Sequence, residues 1–74
     1  MTVIVNGEET SCPDGLSLGQ FVEHLGLKAD RIAVELNRTV AQRKKWNETA
    51  LRAGDRLEIV HFVGGGSGGW RHSQ

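Results

Sequence analysis

The chain has one cysteine, one proline, no tyrosine, two tryptophans and two phenylalanines in 74 residues. Each shortage excludes something. With Cys12 alone there is no internal disulfide framework and no metal site built from cysteines, so the core holds without staples and a reducing compartment is expected. No apolar run approaches the ~18 residues of a membrane span, and the start MTVIVNGEE lacks the basic and apolar regions of a secretory leader. A cytoplasmic protein that does not enter a membrane is the expectation. Nine basic side chains balance nine acidic ones, which argues against a nucleic-acid binder. His24, His61 and His72 lack metal-ligand spacing, so no metal site is expected. A chain of this length forms one domain and buries only about 60% of its unfolded surface, so a deep catalytic cleft would consume most of its core. A carrier or binding role without catalytic residues is favoured over an enzyme.

What is present is patterned. Thr2-Val3-Ile4-Val5 leads into Asn6-Gly7, two residues that tolerate positive φ and suit a hairpin turn, so residues 8–12 are expected to return beside the first strand. After Pro13-Asp14-Gly15, Ser17 can cap a helix with Gln20 completing a capping box and Leu16 and Phe21 at staple positions. Leu18, Phe21, Val22 and Leu25 then fall on one helical face, predicted to bury against Val3, Val5, Val34, Ile59 and Phe62. Gly26 sits where a left-handed C′ residue belongs, with Leu27 folding back on Val22. Ile32–Leu36 reads as a strand, Asn37-Arg38 as a turn and residues 39–41 as a short strand. Residues 42–51 carry a weaker helical or 3-10 signal, Ala53-Gly54-Asp55 is a turn, and residues 57–63 form a last apolar strand placed in the middle of the sheet.

The order strand, strand, helix, strand, short strand, short helix, strand gives an α+β, ubiquitin-like β-grasp fold, a mixed sheet with one main helix packed across it. A ferredoxin-like split would need a second full-length helix, which residues 42–51 are too short and polar to supply. Charge is uneven: residues 1–37 hold 2 basic and 6 acidic side chains, residues 38–56 hold 6 and 2. Within the basic half, Arg43, Lys44 and Lys45 read as a solvated face or as a docking surface, and Trp46 as a lid over the core or an interface anchor. Cys12 reads as a small core residue.

The final strand releases Gly64, Gly65 and Gly66, followed by residues 67–74, a flexible C-terminal extension by composition. Three glycines span ~10 Å and, lacking Cβ, can thread a narrow channel and expose an unhindered carbonyl. Val5-Asn6-Gly7-Glu8, the helix opening at Ser17, Ala33-Val34-Glu35-Leu36-Asn37 followed by Arg43 and Trp46, Gly54-Asp55 and the terminal Gly65-Gly66 together resemble the ThiS family, the ubiquitin-like sulfur carriers of bacterial thiamine biosynthesis. The resemblance covers residues 1–66.

The resemblance implies that Gly66 ends the working domain and carries the sulfur. Its carboxylate is adenylylated by an E1-like, ThiF-like enzyme that uses ATP and Mg²⁺, and is then converted to a thiocarboxylate that supplies a ThiG-like thiazole synthase. A sulfur donor such as a cysteine desulfurase is implied as well, and the carrier itself binds no cofactor. Partner contacts are expected at Arg43, Lys44, Lys45, Trp46 and Phe62. Two features depart from the family. Gln42 stands where a proline often precedes the arginine, and residues 67–74 follow Gly66, either as a propeptide removed by a processing protease or as an appended tail. Sulfur delivery to molybdopterin, cysteine or a secondary metabolite, and a ubiquitin-like modifier, remain as alternatives, because the carboxyl-terminal chemistry does not encode the acceptor.

Overall fold

The computed structural model describes residues 1–62. The expected domain end at Gly66 and the extension 67–74 lie outside the described residues. Eight elements follow one another: strand β1 Thr2–Val5, β2 Glu8–Ser11, helix α1 Leu18–His24, a 3-10 turn Ala29–Arg31, β3 Ile32–Leu36, β4 Thr39–Val40, a 3-10 segment Arg43–Glu48, and β5 Arg56–His61. The strands form one sheet in the order β2-β1-β5-β3-β4, with β1 and β5 parallel and the other pairs antiparallel. This is the β-grasp layout.

Both hairpins turn through two residues with positive φ, Asn6 and Gly7 at 50° and 85°, Asn37 and Arg38 at 51° and 73°. Such turns match the right-handed twist of the flanking strands. Helix α1 begins and ends on side-chain and backbone signals close to those expected. The Gln20 N–H donates to Ser17 Oγ at 3.1 Å and the Ser17 N–H donates to Gln20 Oε1 at 2.9 Å. At the other end Gly26 adopts φ 77°, and the N–H groups of Gly26 and Leu27 donate to the carbonyls of Glu23 and Val22. These are the two bonds of a Schellman stop.

The core lies between α1 and one face of the sheet. Leu18, Phe21 and Val22 bury there against Val3, Ile32, Val34, Leu57 and Ile59, with Cys12, Trp46 and Leu51 closing the margins. Leu25, Val5 and Phe62 are only half-buried. Leu25 is the C-cap at the margin of the helix, and Phe62 follows the last strand residue, so neither reaches the middle of the layer. Gly19 lets α1 approach the 3-10 segment, because a Cβ there would run into the side chain of Asn47.

Three boundaries differ from the sequence reading. β2 ends at Ser11, although Cys12 N–H still donates to the Met1 carbonyl. β4 ends at Val40, while Ala41 N–H donates to Val34 O. β5 runs from Arg56 to His61, and its expected end at Val63 lies outside the described residues. The strand does occupy the middle of the sheet, but only one face is covered. Leu57 and Ile59 point into the core, and Glu58 is exposed between them.

Candidate functional site

The expected site has a carrying end, Gly64, Gly65 and Gly66, which lies outside the described residues, and a docking part, which the structure describes. What leads to the end is well anchored. β5 is hydrogen-bonded on both sides, and beyond it Phe62 N–H donates to Arg31 O at 2.8 Å. Gly66 follows Phe62 by four residues, a length of chain that spans at most ~14 Å.

The basic run separates into residues with different work. Arg43 turns back on the fold: Nε donates to Ala29 O at 2.8 Å, Nη2 donates to Ile32 O at 2.9 Å, and the guanidinium stacks over the Trp46 ring at 5.6 Å. These bonds tie the 3-10 segment to the turn before β3. Trp46 is 3% exposed and its indole N–H donates to Ala41 O at 2.9 Å. It is a lid over the core, so it offers an incoming partner almost no surface. Lys44 and Lys45 are exposed, and among the described residues neither lies within ion-pair distance of a carboxylate. Lys45 lines, with Thr39 and Val40, a hollow of about 460 Å³ at the β4 edge.

The sheet's second face carries what the sequence did not single out. Strand alternation places Glu35 and Ala33 of β3, Glu58 and Val60 of β5, Ile4 of β1 and Val40 of β4 away from the helix. Glu35 stands directly opposite Glu58, Ala33 opposite Val60, and Val40 opposite Glu35. Together with Val34 these residues line a shallow, mainly apolar hollow of about 210 Å³, and Val40 is 66% exposed. Among the described residues no helix covers this face, since α1 and the 3-10 segment pack together on the other side. The alternation Leu57, Ile59 against Glu58, Val60 was legible, but the register that pairs Glu58 with Glu35 was not.

Two titratable groups are displaced from their ordinary values. The Met1 ammonium donates to Asp14 Oδ1 at 2.8 Å and to Cys12 O at 2.7 Å. The hydrogen bond to Asp14 raises the amine's pKa, and the same bond lowers that of the Asp14 carboxyl. Among the described residues no cluster of three or more His, Cys, Asp and Glu is placed to hold a metal, and no helix is long and apolar enough to cross a membrane.

Comparison with known proteins agrees with this architecture. A crystal structure of the thiamine biosynthesis protein (ThiS) from Geobacter metallireducens superposes with a TM-score of 0.77 at 30% identity, covering 89% of this chain and all of that one. An NMR structure of a thiamine biosynthesis protein from the same organism gives 0.76 at 28% identity, over 100% of this chain and 99% of that one. The chain is 34% identical over 67 residues to a thiazole synthase of Paramagnetospirillum magneticum, which is 90% of this chain and 21% of that protein. It is 33% identical over 66 residues to the uncharacterized protein ycf40 of Porphyra purpurea, 89% of this chain and 93% of that one. Against the synthase, then, the chain spans about a fifth of the relative's length. The ThiS family model matches residues 3–66, from the first strand through the terminal glycines, and the chain belongs to the ThiS family.

Proposed function

We propose that this chain is a sulfur carrier for the thiazole of thiamine, working through a thiocarboxylate at Gly66. The observation that carries the reading is the family match over residues 3–66, which takes in Gly64, Gly65 and Gly66. A carboxylate is a poor electrophile. Attack of its oxygen on the α-phosphorus of ATP expels pyrophosphate and leaves an acyl-adenylate, and a sulfur nucleophile can then displace AMP at the carbonyl. The E1-like partner supplies ATP, Mg²⁺ and a site that excludes water, while the carrier supplies an end that reaches it. Glycine suits that end because no Cβ hinders the carbonyl.

Relatives in which a domain like this one forms about a fifth of a protein named thiazole synthase favour a synthase of that kind as the acceptor of the sulfur. The residues after Gly66 block adenylylation as long as they remain, because the carbonyl is then a chain amide. Pyrophosphate exchange tests the reading. A chain ending at Gly66 exchanges pyrophosphate with ATP in the presence of the E1-like enzyme, and the 74-residue chain does so only after cleavage. With sulfide added as the nucleophile that displaces AMP, mass analysis of the chain then shows one sulfur in place of one oxygen. Heavier conjugates on lysines would instead mark a protein modifier, and exchange by the uncleaved chain without loss of mass would sink the processing step.

A further inference from the structure

We infer that Trp70 and Arg71 of this chain fold back over the uncovered face of the sheet, the indole on Ala33, Val40 and Val60 and the guanidinium between Glu35 and Glu58. The first observation is charge. Glu35 and Glu58 stand directly opposite on neighbouring strands, and both are exposed. Among the described residues neither carboxylate lies within ion-pair distance of a cation, Arg56 on the same strand as Glu58 included. Like charges at directly opposed positions destabilise a sheet, and a guanidinium between them turns the repulsion into two attractions. Arg71 is the one lysine or arginine that follows Arg56 in the chain.

The second observation is the apolar ground around the pair. Ala33, Val34, Val40 and Val60 share with the two carboxylates a shallow hollow of about 210 Å³, and Val40 is 66% exposed. A flat ring laid there covers apolar surface that the fold leaves to water, and Trp70 is the one tryptophan, tyrosine or phenylalanine after Phe62. Two larger hollows suit the pair less well. Lys45 lines one of them, and in the other the single carboxylate, Glu23, shares the space with Arg43, so each presents a cation to Arg71.

The third observation is reach and order along the chain. From Phe62 back to the level of Glu58 is ~13 Å along a strand, while the eight residues from Phe62 to Trp70 span up to ~28 Å. A chain that reverses after Phe62 meets Val60 with Ala33 first and Glu58 with Glu35 next, the order in which Trp70 and Arg71 follow one another. Five of the seven residues between Phe62 and Trp70 are glycines, which take up the positive φ of a reversal without steric cost. The cost of closing a loop grows only slowly with its length, and the tether holds the two side chains at roughly millimolar effective concentration, so a modest contact suffices. The contact does not depend on the carrier reading. Where that reading holds, the cleavage that frees the Gly66 carboxylate also uncovers the face, so a single cut makes the end and the surface available together.

NMR of the full 74-residue chain, without any partner, tests the inference. The Trp70 ring should show cross-relaxation to the methyl groups of Val60 and Val40, at the same intensity over a range of protein concentration and more weakly at high salt. Trp70→Ala and Arg71→Glu change residues outside the described fold, and each should lower the docking equilibrium constant about tenfold, read from amide shifts at Ala33, Glu35, Glu58 and Val60. The double variant Glu35→Gln, Glu58→Gln should lose the ring contact to a similar degree, and adding Arg71→Glu to it should change little more, because the partners of the guanidinium are already gone. Losses that simply add would mean that Arg71 does not meet the carboxylate pair, and would overturn the inference. Ring contacts that grow with protein concentration would assign the face to a second copy and overturn it as well. Absence of any ring contact to Val60, with sheet amide shifts unchanged in both tail variants, would leave the face to another protein and overturn it outright.

Discussion

The side chain of Asn6 hydrogen-bonds both backbone groups of Ile59, 53 residues away: Oδ1 accepts from the Ile59 N–H at 2.7 Å and Nδ2 donates to the Ile59 carbonyl at 3.2 Å. Asn6 N–H also donates to Leu57 O at 2.8 Å, so the amide extends the parallel β1–β5 ladder beyond the last strand residue of β1. The same residue holds φ 50° in the hairpin turn. One asparagine thus ties the first hairpin to the strand that precedes Gly64, Gly65 and Gly66.

Replacing Asn6 separates those two tasks. Asn6→Gly keeps the left-handed turn and loses both bonds to Ile59, leaving two partly buried backbone groups unpaired at a cost of about 1–3 kcal/mol. Asn6→Ala adds the strain of positive φ and costs more. Urea unfolding checks the order, with Asn6→Asp falling between parent and glycine because it keeps the acceptor. Equal stability of all four chains would show that the ladder extension contributes nothing.

Among the described residues Phe21 is the largest fully buried side chain, and it sits in the layer between α1 and the sheet. Phe21→Ala should cost roughly 3–5 kcal/mol, a large share of the stability of so small a domain. Equilibrium denaturation monitored by circular dichroism measures it, and a change under about 1 kcal/mol would contradict the packing.

Arg38 occupies the second position of the β3–β4 turn at φ 73°, where its Cβ crowds the following carbonyl. Arg38→Gly removes that strain and should stabilise the domain by about 1 kcal/mol. The thermal midpoint should rise, while Asn37 keeps its bonds to the Arg56 N–H at 3.0 Å and to Asp55 Oδ1 at 3.1 Å. A midpoint that falls would mean that the arginine side chain stabilises the hairpin by more than its backbone costs.

The pair of the Met1 ammonium and the Asp14 carboxylate defines a pH window. Its hydrogen bond holds the amine above its ordinary value of 8.0 and the carboxyl below 3.8. The amine's contribution is fully present below 8.0 and is lost as the pH rises through the raised value. The carboxyl's contribution is present above 3.8 and is lost as the pH falls through the lowered value. Asp14 is 87% exposed, so the effect on stability is small and screened by salt. NMR titration of Asp14→Asn should return the amine toward 8.0. Its thermal midpoint should differ from that of the parent only inside the window. A Met1 titration unchanged in the variant would remove Asp14 as the cause.

The local parts of this protein were legible in its sequence. Ser17 with Gln20, Gly26 with Leu27, and Asn6-Gly7 act over a few residues, and each formed as its chemistry dictates. So did the i, i+3, i+4 face of Leu18, Phe21 and Val22. The half-burial of Leu25 and Phe62 was not legible, because it depends on how far each element overlaps the layer beneath it. Arg43 shows the same limit more sharply. In the sequence it belongs to a basic run, while in the fold it bonds the carbonyls of Ala29 and Ile32 and its neighbour Trp46 closes the core. The sequence by itself determined the elements, their order and the terminal glycines, since these follow from periodicity, turn residues and composition. Tertiary structure alone decided that Glu35 faces Glu58 across an uncovered sheet, because the pairing of β3 with β5 is a register between segments more than twenty residues apart. Neither segment encodes the offset of the other, and a slip of one residue in either strand would have sent that strand's carboxylate into the core.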